Sequence, residues 1–575
     1  MPIHNEDIAA IFDEMADLLE VESANPFRVR AYRNAARTVR GYGREMAELV
    51  SEDFDLTTLP GIGKDLAAKI KEILSTGTAA ALKKLHKEVP ASLEELLKIP
   101  GLGPKRVKIL YHTLEIRTLE QLEKAAREGR IKELAGFGSK TEQHILEIIA
   151  AHRQVPQRFL RSAVVRYAEA LTRMLKEVST VQDVVVAGSY RRGKDTVGDL
   201  DILVTARTPG AVMERFTGYD EVSEVISKGT TRSTVILRSG LQVDLRLVTQ
   251  ESLGAALHYF TGSKAHNIQI RRLGQQRGLK INEYGVFRGN DRVAGDTEES
   301  VFRAVGLPFI PPELREGQGE VELAREKGLP HLVELQDLQG DLHAHTKATD
   351  GRAGLQEMAL AAKARGFKYL AITDHSRRLT VARGLDAKRL LEQMEEIERL
   401  NEKLKGITLL KGIEVDILED GTLDLPDPVL GRLDLVVGAV HSHFGLSRDK
   451  QTERILRAMD HRHFSILAHP SGRLLNEREP YDVDMARIIE KARERGCFLE
   501  LNSQPDRLDL TETWCRIARD EGVLVSINSD AHSEQDLDNL QYGILQARRG
   551  WLEKANVLNT RPLPELLRLI SKTTQ

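Results

Sequence analysis

Gly188-Ser189-Tyr190-Arg191-Arg192-Gly193-Lys194, followed three residues later by Gly198-Asp199-Leu200-Asp201, is the stretch on which the fold turns. It comes directly after the apolar run Val184-Val185-Val186, so it reads as a strand end, a tight Gly-Ser turn and a second strand. Asp199 and Asp201 are two apart on that second strand, and both side chains point to one face. Two carboxylates about 4 Å apart repel by about 4 kcal/mol at an effective dielectric of about 20, a cost that a shared divalent cation removes. Asp244, inside Val243-Asp244-Leu245-Arg246-Leu247-Val248, sits on the adjoining strand and joins them. Three such carboxylates hold two magnesium ions for in-line phosphoryl transfer. The turn and its arginine pair form an anion site for a triphosphate. In the plainer reading, Asp199 and Asp201 cap a helix and Asp244 is a surface strand residue, which leaves their clustering unexplained.

Toward the N-terminus the chain reads as helices. Apolar residues recur at three and four through Ile8, Ile11, Phe12, Met15, Leu18 and Leu19, and residues 1–150 lack alternating β-branched runs. A small-Gly-x-Gly pattern appears three times, at Gly61-Ile62-Gly63, Gly101-Leu102-Gly103 and Gly136-Phe137-Gly138, each ahead of a new helical segment. Such a turn exposes consecutive N–H groups at a helix start, where they and the helix dipole cradle a phosphate whatever the bases. A single copy is equally a helix C-cap. Three copies point to sequence-independent DNA binding through Gly61, Gly63, Gly101, Gly103, Gly136 and Gly138. Net charge is −3, yet residues 101–200 hold 18 basic against 12 acidic side chains. A local basic stretch can follow a phosphate backbone, or can be a solvated helix face.

The length of 575 residues suits about four domains. With 41% hydrophobic and 29% charged residues, the composition excludes a disordered tail protein, a collagen and a membrane channel. No run of 18 apolar residues spans a bilayer, and the acidic, amphipathic N-terminus is unlike an export signal. Cys497 and Cys515 alone offer neither a disulfide framework nor a cysteine zinc site, so the expected compartment is a reducing cytoplasm.

Beyond a Pro- and Gly-containing stretch at 311–330, seven short apolar strands alternate with helical segments: Leu338–Leu342, Tyr369–Thr373, Leu409–Val415, Leu435–Val440, Ser465–Ala468, Phe498–Leu501 and Leu524–Asn528. Most end in Asp, Glu or His, as in a βα barrel whose mouth carries the chemistry. Ten of the 17 histidines lie after residue 330, among them the pairs His343/His345, His441/His443 and His461/His463. Neutral imidazoles concentrated in this way point to metal ligation.

Residues 188–201 resemble the nucleotidyltransferase signature, and residues 1–315 resemble the family X DNA polymerases, small gap-filling repair enzymes. His258-Tyr259-Phe260-Thr261-Gly262-Ser263, Asn267, Arg271 and Asn282-Glu283-Tyr284-Gly285 extend the likeness. The resemblance implies catalysis by Asp199, Asp201 and Asp244. It implies triphosphate contacts from Gly188, Ser189, Arg192 and Gly198, and a Tyr259-Phe260-Gly262 wall that excludes a 2′-hydroxyl. Asn267 would meet the base pair's minor-groove edge and Arg271 the template. The glycine turns look like helix-hairpin-helix motifs. Lys69 matches the family's Schiff-base lysine for a lyase, with Arg28 and Tyr32 around it. However, Ala79-Ala80-Ala81 stands where a phosphate-holding lysine is expected, and this favours a phosphate-contacting or solvated Lys69.

The second half resembles the PHP (polymerase and histidinol phosphatase) domain. That likeness implies nine ligands for about three ions: Glu414 bridging, with His343, His345 and Asp530 on one ion and His441 and His469 on a second. Asp350, His375 and His532 would hold the third. Mixed imidazole and carboxylate donors suit manganese or zinc, and such ions turn water into hydroxide for phosphoester hydrolysis. On a polymerase the substrate is the 3′ end of DNA. Arg383 and Arg473 lie near ligand segments, and His461 and His463 read as surface residues.

The fold expected is multidomain α+β and α/β. Helical DNA-binding regions at 1–88 and 89–153 precede a palm with a mixed sheet at 154–252, a thumb at 253–315, a linker at 316–335 and a distorted (βα)7 barrel at 336–575. The expected partners are gapped or nicked double-stranded DNA and deoxynucleoside triphosphates, with no membrane and a monomeric state. Two other readings compete: a terminal nucleotidyltransferase with a phosphomonoesterase barrel, and a DNA-binding protein with a purely structural barrel.

Overall fold

The protein is described here from a computed structural model, which covers residues 158–326 and 328–573 without a break. Of the earlier part it describes 5–21, 25–40, 46–52, 54–59, 61–76, 78–88, 93, 96, 102, 104–132, 134, 137–138, 142–143 and 145–146. Two compact units result, Met1–Gln157 with Gly317–Gly319, and Arg158–Glu316 with Glu320–Gln575.

The first unit is helical. Asn5–Val21, Pro26–Arg40, Lys64–Thr76 and Pro104–Leu114 bury the apolar stripes that their three-and-four spacing announces. Phe12, Met15, Leu19, Val39, Ile70, Ile73, Leu110 and Leu122 belong to a single core, so the described parts of 1–88 and 89–153 pack together. The third hairpin retains Phe137 and Gly138 among the described residues. Gly101, Gly103 and Gly136 lie outside them.

The second unit opens with a five-stranded sheet: β1 (Val181–Val186), β2 (Asp199–Ala206), β3 (Val222–Lys228), β4 (Arg232–Leu237) and β5 (Gln242–Val248), in the order β1-β2-β5-β4-β3. Only β2 and β5 run parallel; every other pair is antiparallel. The helices Arg161–Lys176 and Pro209–Thr217 cover it, burying Leu171, Leu175, Val212 and Phe216 against Ile202, Val204, Val235 and Val243. A smaller domain follows, with helices Leu253–Thr261, Lys264–Gln276 and Glu298–Ala304 around the antiparallel strands β6 (Lys280–Asn282), β7 (Gly285–Arg288) and β8 (Asp291–Ala294). The stretch read as a linker contains the helix Glu320–Glu326. Its Val321 and Ala324 are buried in the same core as Phe302 and Leu314, because that short segment is amphipathic and has an apolar surface to cover.

The remainder is parallel: β9 (Gly340–Asp341), β10 (Tyr369–Ile372) and β11 (Thr408–Lys411) form one ladder. β12 (Glu414–Asp416), β13 (Val437–Ala439), β14 (Ile466–Leu467), β15 (Phe498–Asn502) and β16 (Val525–Asn528) form a second. The seven-stranded expectation maps onto these eight pieces because Gly412-Ile413 interrupts the strand that holds Glu414. A Cβ on Gly412 would approach the Ile372 carbonyl to 2.9 Å, so only glycine allows the two chains this close there. Single bridges, His375 to Glu414 and Ala344 to Ala531, connect the two ladders where continuous hydrogen bonding stops. Strand side chains feed two cores. Leu370, Ile372, Leu499 and Val525 pack with the flanking helices, while Tyr369, Ala371, Val437, Ile466 and Phe498 pack with Leu566 and Ile570 of the last helix, Leu563–Thr573.

Candidate active sites

Parallel pairing of β2 with β5 sets Asp201 opposite Asp244 and Asp199 opposite Gln242. Two-residue periodicity then turns all three carboxylates to one face. Asp244 is buried and accepts hydrogen bonds from Thr234 Oγ1 (2.6 Å), Gln242 Nε2 (2.7 Å) and Arg232 Nη2 (3.0 Å). Burial pushes its carboxyl up, but these donors outweigh burial and hold it below the usual range. Asp201 has no such relief: burial, then Asp199 and Asp244, push it up to about 7. Asp199 is raised as well, by burial and then by Asp244. Crowded oxygen donors that resist ionising together fit a hard divalent cation.

The Gly188-Ser189 turn opens a short helix, Gly188–Arg191, directly over Asp201. Gly188 has φ +65°, and a Cβ there would lie 2.7 Å from Asp201 Oδ2. Gly198 is exposed at the start of β2. Arg192 donates Nη1 to the Thr261 carbonyl (2.5 Å) and Nε to Glu316 Oε1 (3.0 Å), which fixes its guanidinium between the turn and the helix that ends at Thr261. Arg191 points elsewhere, to Thr261 Oγ1 (2.8 Å) and Glu298 (2.6 and 2.9 Å). Glu298 also receives Arg315 (2.6 Å), so this arginine braces the smaller domain. Gly262 has φ +69° and lies against Arg192 Nη1, where a Cβ would reach 3.2 Å. Tyr259 and Phe260 meet edge to face at 5.1 Å, and the Arg246 guanidinium stacks 4.3 Å above Phe260. Asn267 donates Nδ2 to the Tyr259 carbonyl (2.7 Å), and Arg271 Nε donates to the Asn267 carbonyl (3.3 Å).

In the first unit, Gly61 adopts φ +79°, and a Cβ on Gly63 or Gly138 would meet open space. The helix Lys64–Thr76 starts immediately after Gly63, which leaves its first N–H groups available to an anion. Lys69 is paired with Asp65 at 2.5 Å, which engages the ε-nitrogen that a Schiff base would need free. Tyr32 is buried, its hydroxyl unpartnered among the described residues, and Arg28 is exposed.

The parallel half gathers its own cluster at the carboxyl ends of the strands. His343 and His345 follow β9, His375 follows β10, His441 and His469 follow β13 and β14, and Asp530 and His532 follow β16. Glu414 opens β12 at the centre. Its Oε2 lies 2.6 Å from His375 Nδ1 and 3.6 Å from both His343 Nε2 and His345 Nε2; its Oε1 lies 3.0 Å from His469 Nε2 and 3.3 Å from His441 Nε2. Asp530 Oδ1 is 3.0 Å from His345 Nε2 and 3.6 Å from His343 Nε2. Asp350 Oδ2 is 3.4 Å from His375 Nε2 and 3.6 Å from His532 Nε2. Three ligand-sized groups emerge: His343/His345/Asp530, His345/Asp350/His375/His532 and His375/Glu414/His441. These groups hold eight of the nine residues named from the sequence, with His345 and His375 shared between groups; the ninth, His469, adjoins them through Glu414 Oε1.

These donors fit metal ions. His343 Nε2, both ring nitrogens of His345, His375 Nδ1 and Glu414 Oε2 are buried and make no hydrogen bond, although oppositely charged atoms stand within 4 Å. Atoms this close without hydrogen-bond geometry are what ligands around a common cation look like. Other carboxylates orient the rings: Glu500 accepts from His343 Nδ1 and Asp416 from His441 Nδ1, both at 2.7 Å. Asp374 accepts from Thr346 N (2.8 Å), Thr346 Oγ1 (2.6 Å), Thr349 and Gln393, and so ties down the loop that carries Asp350. Glu500 and Asp416 are absent from the sequence reading. Their signal there is a carboxylate inside an otherwise apolar strand, Phe498-Leu499-Glu500-Leu501, and a second acid two residues after Glu414. Left-handed backbone at His469 (φ 27°), Asp530 (φ 53°), His443 (φ 57°) and Arg383 (φ 57°) concentrates strain around the cluster. Arg383 donates to the Thr349 carbonyl (2.6 Å), Arg473 to the Arg507 and Leu508 carbonyls, and His461 pairs with Asp427 at the surface (2.8 Å).

Comparison with known proteins covers nearly the whole chain. Residues 3–79 match the helix-hairpin-helix domain model and 93–150 a SAM-like helix-hairpin-helix tandem. Residues 158–252 match the DNA polymerase beta palm, 256–316 the DNA polymerase beta thumb and 341–504 the PHP domain. The DNA polymerase/3′-5′ exonuclease PolX of Bacillus subtilis is 39% identical over 568 residues, 98% of this chain and 99% of that protein. A probable phosphatase of Thermoanaerobacter sp. is 29% identical over 232 residues, 38% of this chain and 89% of its own length. Another, from Acetivibrio thermocellus, is 30% identical over 201 residues, covering 33% of this chain and 78% of that protein.

Proposed function

The chain belongs to the family X DNA polymerases that carry a C-terminal PHP domain, and on that footing we propose how one polypeptide both extends DNA and trims its 3′ end. It is a DNA-directed DNA polymerase with a 3′–5′ exonuclease, and both activities depend on divalent metal ions.

For synthesis, Asp199, Asp201 and Asp244 hold two magnesium ions. Ions held by these carboxylates would activate the primer's 3′-hydroxyl and carry the triphosphate. Ser189 and Arg192 bind the triphosphate in the Gly188 turn, helped by the close chain approach that glycine permits at 188 and 198. Tyr259 and Phe260, with Gly262 beside Arg192, pack against the sugar and leave no room for a 2′-hydroxyl. Asn267, fixed by its bond to the Tyr259 carbonyl, reads the minor-groove edge, and Arg271 meets the template. The glycine turns hold the phosphates of gapped or nicked duplex. Lys69 contacts phosphate; its ion pair with Asp65 speaks against a lyase role.

For removal, His343, His345, Asp350, His375, Glu414, His441, His469, Asp530 and His532 hold about three ions, manganese or zinc by donor type. Metal ions held there would supply hydroxide near neutral pH and neutralise a phosphate oxygen. Glu500 and Asp416 hold the imidazoles in the tautomer that leaves Nε2 for the metal. Arg383 donates to the Thr349 carbonyl beside Asp350, and Arg473 follows His469 by four residues. The phosphatase relatives cover 38% and 33% of this chain, and phosphoester hydrolysis is common to their names and the exonuclease reading. On this footing the protein is a cytoplasmic monomer that fills short gaps in damaged DNA.

The observation that carries it is the pairing of Asp201 with Asp244 across parallel strands, on a chain that also assembles the imidazole cluster. Asp201→Ala should abolish nucleotide addition and spare exonuclease, and Glu414→Ala should do the reverse, on one gapped duplex assayed for extension and degradation. Loss of both activities in either folded variant would refute two independent sites.

A further inference from the structure

Arg549 ends the helix Leu540–Arg549 of the PHP half, takes no part in the imidazole cluster, and has a side chain only 1% exposed. Its Nη1 donates to Glu316 Oε1 (2.9 Å) and to the Arg192 carbonyl (3.1 Å), and its Nη2 donates to Glu512 Oε1 (2.6 Å). Glu316 Oε1 is the same oxygen that receives Arg192 Nε, with Lys194 Nζ 3.8 Å away. Gly193, in the same turn, adopts φ +72°; a Cβ there would touch Leu545 at 3.5 Å and Arg549 Cδ at 3.7 Å, so the helix lies directly on the turn.

We propose that Arg549 is a positioning residue for nucleotide addition, holding Arg192 from the PHP side, through Glu316 and the Arg192 carbonyl, in the orientation that receives the incoming triphosphate. The inference rests on the reading of Arg192 as a triphosphate ligand. Two of Arg192's three guanidinium nitrogens are engaged, by Glu316 and by the Thr261 carbonyl, and this leaves Nη2 for a phosphate oxygen. With Glu316 alone, Arg192 would be drawn into a closed ion pair and its charge spent there. Arg549 shares that carboxylate, so part of Arg192's positive charge remains for the ligand. Although burial pushes Glu316 up, Arg549 first and then Arg192 and Lys194 hold it below the usual range, as a shared carboxylate requires. Glu512 in turn pins Arg549, and a buried arginine with both carboxylates in place has a single low-energy orientation. Arg473 beside Asp195 (3.3 Å) and Asn476 on the Arg158 carbonyl (2.7 Å) connect the same two surfaces.

The test uses the full-length protein, a gapped duplex and a titration of one deoxynucleoside triphosphate. Arg549→Met and Glu316→Gln should each raise KM for the nucleotide about tenfold while kcat stays within about twofold, the size of one weakened charge-assisted contact. Exonuclease activity of Arg549→Met should be retained, and Arg549→Lys should restore part of the affinity. Arg192→Met separates the premises. If it leaves KM unchanged, the triphosphate reading itself fails; if it raises KM while Arg549→Met and Glu316→Gln do not, only the positioning role is overturned. Should Arg549→Met lose exonuclease through a damaged interface, the isosteric Glu316→Gln decides: a raised KM supports the role and an unchanged one overturns it.

Discussion

Gly188 carries the tightest steric demand in the palm. Its positive φ and the 2.7 Å from a would-be Cβ to Asp201 Oδ2 mean that any side chain displaces either the turn or the carboxylate. Gly188→Ala should therefore cut nucleotide addition by about a hundredfold or more, as misplacement of a reacting group by about 1 Å does. Exonuclease on the same protein should not change; an active Gly188→Ala polymerase would show that Asp201 is not where the chemistry occurs. The imidazoles give a pH prediction. Burial works to lower His375 and His441, but Glu414 outweighs it, with Asp350 and Asp416, and pushes them up to about 10 and about 9 in the metal-free protein. The stability lent by these protonated rings is complete below the ordinary imidazole range of about 6.5 and fades as pH climbs through 9 to 10. A metal needs the same nitrogens unprotonated, so manganese should bind the metal-stripped protein more tightly at pH 8 than at pH 6.5 and release protons as it binds. Calorimetry in two buffers of different ionisation enthalpy reads this directly, and affinity independent of pH would contradict it.

Among the elements, the strands set what the sequence could and could not disclose. The Gly-Ser turn and the Asp199/Asp201 spacing are local, so the triad and its shared face were legible; the register of Asp201 with Asp244 adds only the pairing partner. The seven short strands were legible from apolar runs bounded by turns, and their terminal acids and histidines from position alone. Glu500 was not, because a strand buried on both faces shows no alternation that would flag a carboxylate between Leu499 and Leu501. The helix Glu320–Glu326 was hidden by the glycines around it, which read as a connector until Val321 and Ala324 find the core that covers them. The break at Gly412-Ile413 was equally hidden, since it depends on how closely Ile372 approaches. Glu500 yields the prediction at this scale. β15 holds it where it accepts from His343 Nδ1, His469 N (2.8 Å) and Asn528 Nδ2 (2.9 Å). Glu500→Gln should lower metal affinity or exonuclease rate by 10- to about 100-fold, as loss of a ring-orienting partner does, with polymerase activity unaltered. Full exonuclease in that variant would mean that the ring of His343 is held by the metal alone.

At the scale of the whole molecule, a chain with net charge −3 has no long-range attraction for DNA, so affinity has to be built from local phosphate contacts. The first unit offers these as backbone N–H groups at helix starts, chiefly behind Gly61 and Gly63, where the helix Lys64–Thr76 begins. Contacts of that kind displace counterions, and the logarithm of the binding constant should fall linearly with the logarithm of salt, by about 0.9 for each phosphate held. Gly61→Val, placed at φ +79° where a β-branched side chain is strained, should remove one cradle and flatten that slope by about one phosphate. If this cradle holds the duplex for both reactions, polymerisation and exonuclease should weaken together at moderate salt and recover at low salt. Hydrolysis of a small phosphodiester such as thymidine p-nitrophenyl phosphate, which needs the imidazole cluster but no cradle, should be unchanged. If Gly61→Val slowed that small ester as much as it slowed DNA, the defect would lie in the folding of the chain, and the cradle would lose its claim to hold the substrate of both reactions.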